Sequence, residues 1–437
     1  MGPVTSLTTP PTRPASRPVT RPVALDRPRQ GSWDPLLRPI AWCLLLFALV
    51  LNSAAIAYKV DVPNTVPLLV GLACIGLSLI LPRSQSVIVP VGAVSILGLG
   101  LLSVLWSADE AATVLWARSS AMVTVGITAL VLVLPTDETI KVLTASVHLA
   151  PAVTPVAAAL HSTARIHIDP LGASPDLKGW HGWFVHKNIL ATFLVLALAV
   201  VIEFDHHRWT RWMSLSAIVF LFAVSDSTTG RMAAVVLVAV QLWFITNRRL
   251  NRRSSAALAA STAALVAVIG LAIGLSLSAI ADAAGKDLTF TGRTKIWSAT
   301  WRAILDHPLV GHGINGLFSV PNTVQTSQVL RDIGFVAGHP HNGVLDVLVQ
   351  LGIVGLVVVT LVITAVFRSS LRLQRRSPQM AAWAMCLMAA LVVMSVGESV
   401  FLGSSIAVII VMRTRQLREE RATPQGIESA SIRRRRS

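Results

Sequence analysis

The chain has 437 residues, of which 53% are hydrophobic and only 13% charged, and its formal net charge is +16. A soluble protein would carry about 25% charged residues, so this composition and a mean hydropathy of +0.66 exclude a large soluble enzyme. The positive charge lies in short clusters between apolar stretches, such as Arg248, Arg249, Arg252 and Arg253, or Arg368, Arg372, Arg375 and Arg376; that pattern orients a membrane protein and excludes a nucleic-acid partner.

Residues 1–39 are rich in Pro, Arg and Thr, lack a helical period, and read as a disordered basic cytoplasmic tail. The first apolar span is long and has no small-residue cleavage site before it, so it reads as a retained helix and not a signal peptide. Residues 40–412 then read as one all-α polytopic membrane domain. Twelve apolar stretches approach the length that crosses a bilayer, near 40–58, 66–82, 87–106, 118–135, 140–160, 188–204, 213–224, 231–246, 256–280, 343–367, 380–397 and 400–412. A basic cytoplasmic tail, 413–437, closes the chain. Cys43, Cys74 and Cys386 all fall inside apolar spans and offer neither a disulfide framework nor a metal spacing.

The loops set the expected topology. With the N-terminus inside, the cytoplasmic loops are "RSQS", "TDETIK", "DHHRWTRWM", "NRRLNRRSS" and "RSSLRLQRRSPQ", and four of these five are net basic. The outside loops are "KVDVPNTV", "SADEAATVLWAR", residues 161–187, "SDSTTG" and residues 281–342. This segregation predicts both termini in the cytoplasm. Residues 281–342, between the ninth and tenth spans, far exceed an ordinary connection and mark a functional extracytoplasmic loop. Within it Ile296, Trp297, Thr300, Trp301, Ile304 and Leu305 make a helical stripe that His307-Pro308 stops. The stripe predicts a short amphipathic helix lying on the outer membrane face.

The unusual polar residues all fall on the outer side. His186, Lys187 and Asn188 abut the sixth span, Arg231 opens the eighth, Arg293 opens the amphipathic helix, and His339, His341 and Asn342 precede the tenth. Ionisable residues at a membrane edge are functional candidates. Arg231 stands where the positive-inside rule disfavours it, and Arg293 opposes its helix dipole. A bound anion would offset both costs, and Arg grips phosphate in a bidentate fork; snorkelling to lipid headgroups is the plainer reading. The histidines could be metal ligands, helix caps or bases. No HExxH or Cys pair accompanies them, and a His near its ordinary pKa suits proton abstraction at neutral pH, which favours the base. Asp346, in the first turns of the tenth span, reads as structural.

The string "HNGVLDVLVQLGIVGL" resembles the signature of the O-antigen ligase and polymerase superfamily, a His-Asn followed by a helix ending Leu-Gly-x-x-Gly. "LSVLWSADEAATVLW", "GWFVHKNILATF", "SDSTTGRMAAVVL" and "GRTKIWSATWRAILDHPLVGHGINGLF" fit in order, so the resemblance runs from about residue 102 to 357. Its His-Lys-Asn and Ser-Thr-Thr forms are most like exopolysaccharide polymerases of the succinoglycan type. The resemblance implies a helical lipid-linked sugar transferase of the GT-C-like class in the bacterial inner membrane. Such an enzyme moves a glycan from a polyprenyl-diphosphate carrier to an acceptor sugar, at an extracytoplasmic site, without metal or cofactor. It implies that His341 activates the acceptor hydroxyl and that Arg231 and Arg293, with Lys187 beside them, hold the diphosphate. His339, Asn342, His186 and Asn188 are secondary candidates. A multi-spanning transporter or flippase is the alternative, but the long loop is outside and no matching pair of broken helices is evident.

Overall fold

Apolar helices dominate the protein. A computed structural model describes residues 34–52, 63, 65–83, 87–160, 166–167, 177–184, 186–250, 293–318, 323–334, 337–403 and 405–435. The helices are α1 (Asp34–Asn52), α2 (Thr65–Ile80), α3 (Val91–Leu102), α4 (Glu110–Trp116), α5 (Met122–Val133), α6 (Thr136–Leu160), α7 (Lys187–Phe204), α8 (Arg208–Val224), α9 (Thr228–Arg249), α10 (Arg293–Asp306), α11 (Val324–Ile333), α12 (Gly343–Leu373), α13 (Pro378–Met394) and α14 (Ser405–Arg435). Among the described residues the one strand pairing is a two-residue antiparallel ladder, Ile166–His167 with Leu177–Lys178.

Five stretches are long and apolar enough to cross a membrane: Glu110–Val133, Thr136–Leu160, Lys187–Phe204, Thr228–Asn247 and Gly343–Leu373. Shorter apolar helices, Leu36–Asn52, Thr65–Ile80, Val91–Trp106 and Pro378–Met394, accompany them. This is a multi-pass helical membrane protein, since backbone groups in hydrocarbon must be satisfied within their own segment. The expected span at 256–280 and residues 281–292 of the long loop lie outside the described residues.

Several expected boundaries move. Helix α1 begins at Asp34, inside the stretch read as tail. The outside loop "SADEAATVLWAR" is mostly helix, because Asp109 accepts the Ala112 N–H and caps α4, which a π turn joins to α5. The basic segment after residue 412 does not start as a tail. Helix α14 continues through it, and Arg418 donates to the carbonyls of Val131 and Leu132 at 3.1 and 2.8 Å, capping the end of α5. The last carbonyls of a helix lack helical donors of their own, so a guanidinium there is structural.

Helices α7, α9 and α13 pack on one another around buried Trp383, Leu194 and Leu237. A polar bridge joins the same three: Gln241 donates to Glu203, and Cys386 Sγ to Gln241 Oε1 at 3.2 Å. Helix α6 is tied to the α7–α8 turn by His148, whose ring nitrogens lie 3.3 Å from Asp205 Oδ2 and 2.6 Å from Ser214 Oγ.

Helix α12 is broken at Gly352, whose backbone (φ 64, ψ −161) leaves the helical region. The segment after α10 enters the break. Ile353 and Val354 donate to Pro308 and Leu309 carbonyls, while His312 and Gly313 donate to Val349 and Gln350. A Cβ at Gly352 would lie 2.3 Å from the Leu309 carbonyl carbon. The conformation is open to glycine almost alone, so the Leu-Gly-x-x-Gly string marks a docking notch for the preceding loop. That loop also contains α11, which the sequence did not suggest, packed against α10.

Candidate functional site

The site forms where the α12 N-terminus meets the turn after α13. Asn342 is the N-cap of α12, accepting from Val344 and Leu345 N–H at 3.0 and 3.1 Å. Gly343 N–H donates to Ser395 O at 2.6 Å, and a Cβ on Gly343 would come 2.7 Å from Ser395 Cβ. The glycine therefore lets the two backbones touch. His341 precedes this cap with φ 52, a left-handed conformation that side-chain-bearing residues rarely adopt. Its Nδ1 lies 3.4 Å from Glu398 Oε2.

Glu398 is the hub. It is nearly buried, and its Oε1 accepts from Arg293 at 3.2 Å and from the Asn188 amide. Ser227 Oγ donates to Asn188 Oδ1 at 2.9 Å, and a Cβ on Gly397 would lie 3.0 Å from Thr229 Oγ1 and 3.1 Å from an Arg293 amine. Five chain segments thus converge: the starts of α7, α9, α10 and α12, and the turn after α13. His186 caps α7, its Nδ1 accepting the Asn188 N–H at 3.1 Å. Trp297 donates to Pro340 O at 3.0 Å and fixes the histidine turn onto α10.

Arg231 and Lys187 form an adjoining group. Arg231 donates to the carbonyls of Phe222 and Ala223, both at 3.0 Å, and so caps the end of α8. Its guanidinium and Lys187 Nζ also face Asp226, at 3.5 and 3.6 Å. The expectation that Arg231 and Arg293 await an outside anion is therefore modified, for each already has a carboxylate of its own. The two groups are linked through Ser227 and Asn188.

His339 packs against His341, ring centroids 4.0 Å apart, and its Nδ1 accepts the His341 N–H at 3.2 Å. Desolvation by burial first, then its neighbours His341, His186 and the Arg293 guanidinium, push its pKa down to about 3 against the Glu398 carboxylate, which raises it. A ring so reluctant to take a proton is a poor base. His339, His341 and Glu398 place possible ligand atoms within 4.8 Å of one another, a donor set able to hold a divalent cation. Two facts of this cluster oppose one: the Arg293 guanidinium shares the Glu398 carboxylate, and His339 Nδ1 is occupied by a backbone N–H. His312 lies elsewhere, its Nε2 2.8 Å from Ala303 O at the end of α10. Asp346 is buried and accepts from Gln350 at 2.7 Å, a structural pairing.

Glu398 was not among the expected site residues. It sits in "SVGESVF" between two apolar spans, and a lone carboxylate at such a break is the signal that could have found it.

Residues 212–360 match the family model described as O-Antigen ligase. That match contains Arg231, Arg293, His339, His341 and Asn342 and ends before Glu398. The chain is also similar to the exopolysaccharide production protein ExoQ of Rhizobium meliloti (strain 1021), 26% identical over 218 residues, which cover 47% of this chain and 49% of the relative. The chain thus spans about half the length of the curated relative it matches. The stretch from before Arg231 to beyond His341 is therefore similar to the O-antigen ligase family, and about half of the chain is similar to an exopolysaccharide production protein.

Proposed function

We propose that the protein transfers a glycan from a polyprenyl-diphosphate carrier to an acceptor sugar hydroxyl, on the extracytoplasmic face of a bacterial inner membrane. The observation that carries this reading is the meeting of His341 and Arg293 on Glu398 at the end of a membrane helix. A base and a fixed cation beside one another are what displacement of a diphosphate requires. His341 turns Nδ1 to Glu398, which favours the Nδ1–H tautomer and leaves Nε2 to accept a proton. Nε2 takes the hydroxyl proton as the acceptor oxygen bonds to the anomeric carbon. The bond from that carbon to phosphate breaks, and its electron pair leaves on the diphosphate. Glu398 then stabilises the imidazolium.

Lys187, Arg231 and Arg293 hold the diphosphate in this scheme. Asp226 is 58% exposed, and its contacts with Lys187 and Arg231 are long. The exposed Arg231–Asp226 pair contributes about 0–1 kcal/mol, so in this scheme a diphosphate displaces Asp226 from Arg231 at little cost. Arg293 faces the diphosphate while its pairing with the buried Glu398 orients the base side of the site.

The test is genetic and chemical together. Deletion should abolish a surface or secreted polysaccharide and accumulate its diphosphate-linked precursor on the outer face of the membrane. His341→Ala should reduce transfer about 100-fold or more, the usual worth of a general base, and Arg293→Lys should restore only part of what Arg293→Ala loses. Chelators should leave transfer intact. Complementation by His341→Ala would remove the base assignment, and precursor trapped on the cytoplasmic face would point to a flippase.

A further inference from the structure

Helix α14 leads from the Glu398 turn to a second polar site. It starts at Ser405 and reaches Arg415 about 15 Å further along. There it meets the α5–α6 turn at a small pocket lined by Val131 of α5, Thr136 and Ile140 of α6, and Val411, Arg415 and Arg418 of α14. None of these residues lies in the stretch that matches the family model. The loop charges predict that this end faces the cytoplasm, away from the histidines.

The two guanidinium groups converge on Thr136. Arg415 Nη1 donates to its carbonyl at 3.2 Å, and Arg418 Nη1 to its hydroxyl at 3.3 Å. The amines of Arg418 also donate to the carbonyls of Val131, Leu132 and Leu134. Capping therefore occupies the amines and leaves Nε over. The Nε of Arg415 and that of Arg418 are both buried and have no hydrogen-bond partner among the described residues. A buried charged donor without an acceptor is costly, so the pocket calls for a group that only accepts.

The local charges point the same way. Asp137 pairs with Lys141, Glu138 with Arg38, and Arg413 interacts with Glu420. Arg415 and Arg418 are then left with one carboxylate between them, Glu419, at 3.9 Å from Arg415. The partners of Arg418 are all neutral oxygens. One positive charge remains unbalanced. Water would satisfy the Nε donors without balancing it, whereas a singly charged phosphodiester does both. The pocket encloses only about 10 Å³, room for about one water-sized group. It therefore admits a phosphate oxygen, keeps the rest of a headgroup at the surface, and is too small to seat a sugar or a base.

We propose that this pocket binds a phosphate group at the cytoplasmic face of the protein. Basic pockets between membrane helices on that face take anionic lipid headgroups, and Val131, Ile140 and Val411 offer an apolar wall beside the arginines. Free phosphate shares the chemistry of a headgroup phosphate. Bound there, the group joins α14 to the α5–α6 turn. The proposal is independent of glycan transfer.

Lipid binding to the purified full chain tests it. Delipidated protein in detergent is titrated with dioleoylphosphatidylglycerol and with dioleoylphosphatidylcholine, and bound lipid is counted by native mass spectrometry. The anionic lipid should bind about fivefold tighter or better, the scale of one basic side chain beside an anionic surface. Arg415→Gln, which keeps an amide donor for the Thr136 carbonyl, should erase that preference. Glu419→Gln removes the competing carboxylate from a half-exposed position and should raise the preference by a similar factor. Because its effect has the opposite sign, it keeps the test decisive where Arg415→Gln fails to fold. Arg372→Gln, exposed near the end of α12, removes the same charge away from the pocket and should change nothing. Equal binding of the two lipids overturns the proposal. So does a preference unmoved by Arg415→Gln or by Glu419→Gln, or one lost equally in Arg372→Gln. Inorganic phosphate at millimolar concentration identifies the source. Displacement of the lipid assigns the site to free phosphate, retention assigns it to the headgroup, and both outcomes support the site.

Discussion

Two histidines separated by one proline have opposite chemistry here. His341 holds a strained left-handed backbone that places its ring on Glu398, and strain of that kind, about 1–3 kcal/mol per residue, persists where the surroundings over-determine it. Asn342, Gly343 and Pro340 are those surroundings, each bonded to another element. His339 is held neutral chiefly by burial, and this has a consequence for stability. Its folded pKa, about 3, lies below the ordinary 6.5, so between those values the unfolded chain binds more protons. Stability therefore rises with pH across this window and is lost as pH falls through it. His339→Asn, which keeps an acceptor for the His341 N–H, should flatten that loss, as read by thermal unfolding in detergent at pH 7 and pH 4. An unchanged pH dependence would show that other groups carry it.

At the scale of elements, the broken α12 and the arginine caps do the positioning. Arg231 of α9 at the end of α8, and Arg418 of α14 at the end of α5, satisfy helix-end carbonyls that have no helical donor. Helix α10 shows how burial divides a stripe: Ile296, Thr300 and Ile304 turn into the protein, whereas Trp301 and Leu305 face outward. The expected membrane-surface helix is thus half core, and it brings Arg293 to Glu398. The Gly352 notch is the most sensitive point. Gly352→Ala should destabilise by about 3 kcal/mol or more, combining a glycine-only backbone with a backbone clash. Gly98→Ala in α3 meets nothing within 4 Å and should be neutral or stabilising by up to about 1 kcal/mol. Thermal unfolding of the two variants beside the unaltered protein checks both, and equal shifts would contradict the notch.

For the molecule as a whole, the charge pattern predicts that the polar cluster faces away from the cytoplasm. Single cysteines at Val324 on α11 and at Arg375 after α12 test it in a Cys43→Ala background, since Cys43 is exposed while Cys74 and Cys386 are buried. An impermeant maleimide should label position 324 in intact spheroplasts and position 375 only after permeabilisation. The reverse pattern would invert the topology and place the site on the cytoplasmic side.

The sequence by itself determined the helical membrane class and most of the helices, and it named the polar residues proposed for the site. Bilayer thickness and loop charge act along the chain one segment at a time, so span length and Arg clustering report them directly. It also placed α10, because a 3.6-residue period is local. What only the tertiary structure decided is which side chains meet. Arg293 and Glu398 are 105 positions apart, and Asn188 and Glu398 are 210 apart. No spacing rule spans such intervals. The partners of a charge are chosen by packing through space, where desolvation obliges a buried carboxylate to find a cation and donors. The same requirement turned Arg231 toward the α8 carbonyls and Asp226, and made Glu398, silent in the motif strings, the residue that joins the site.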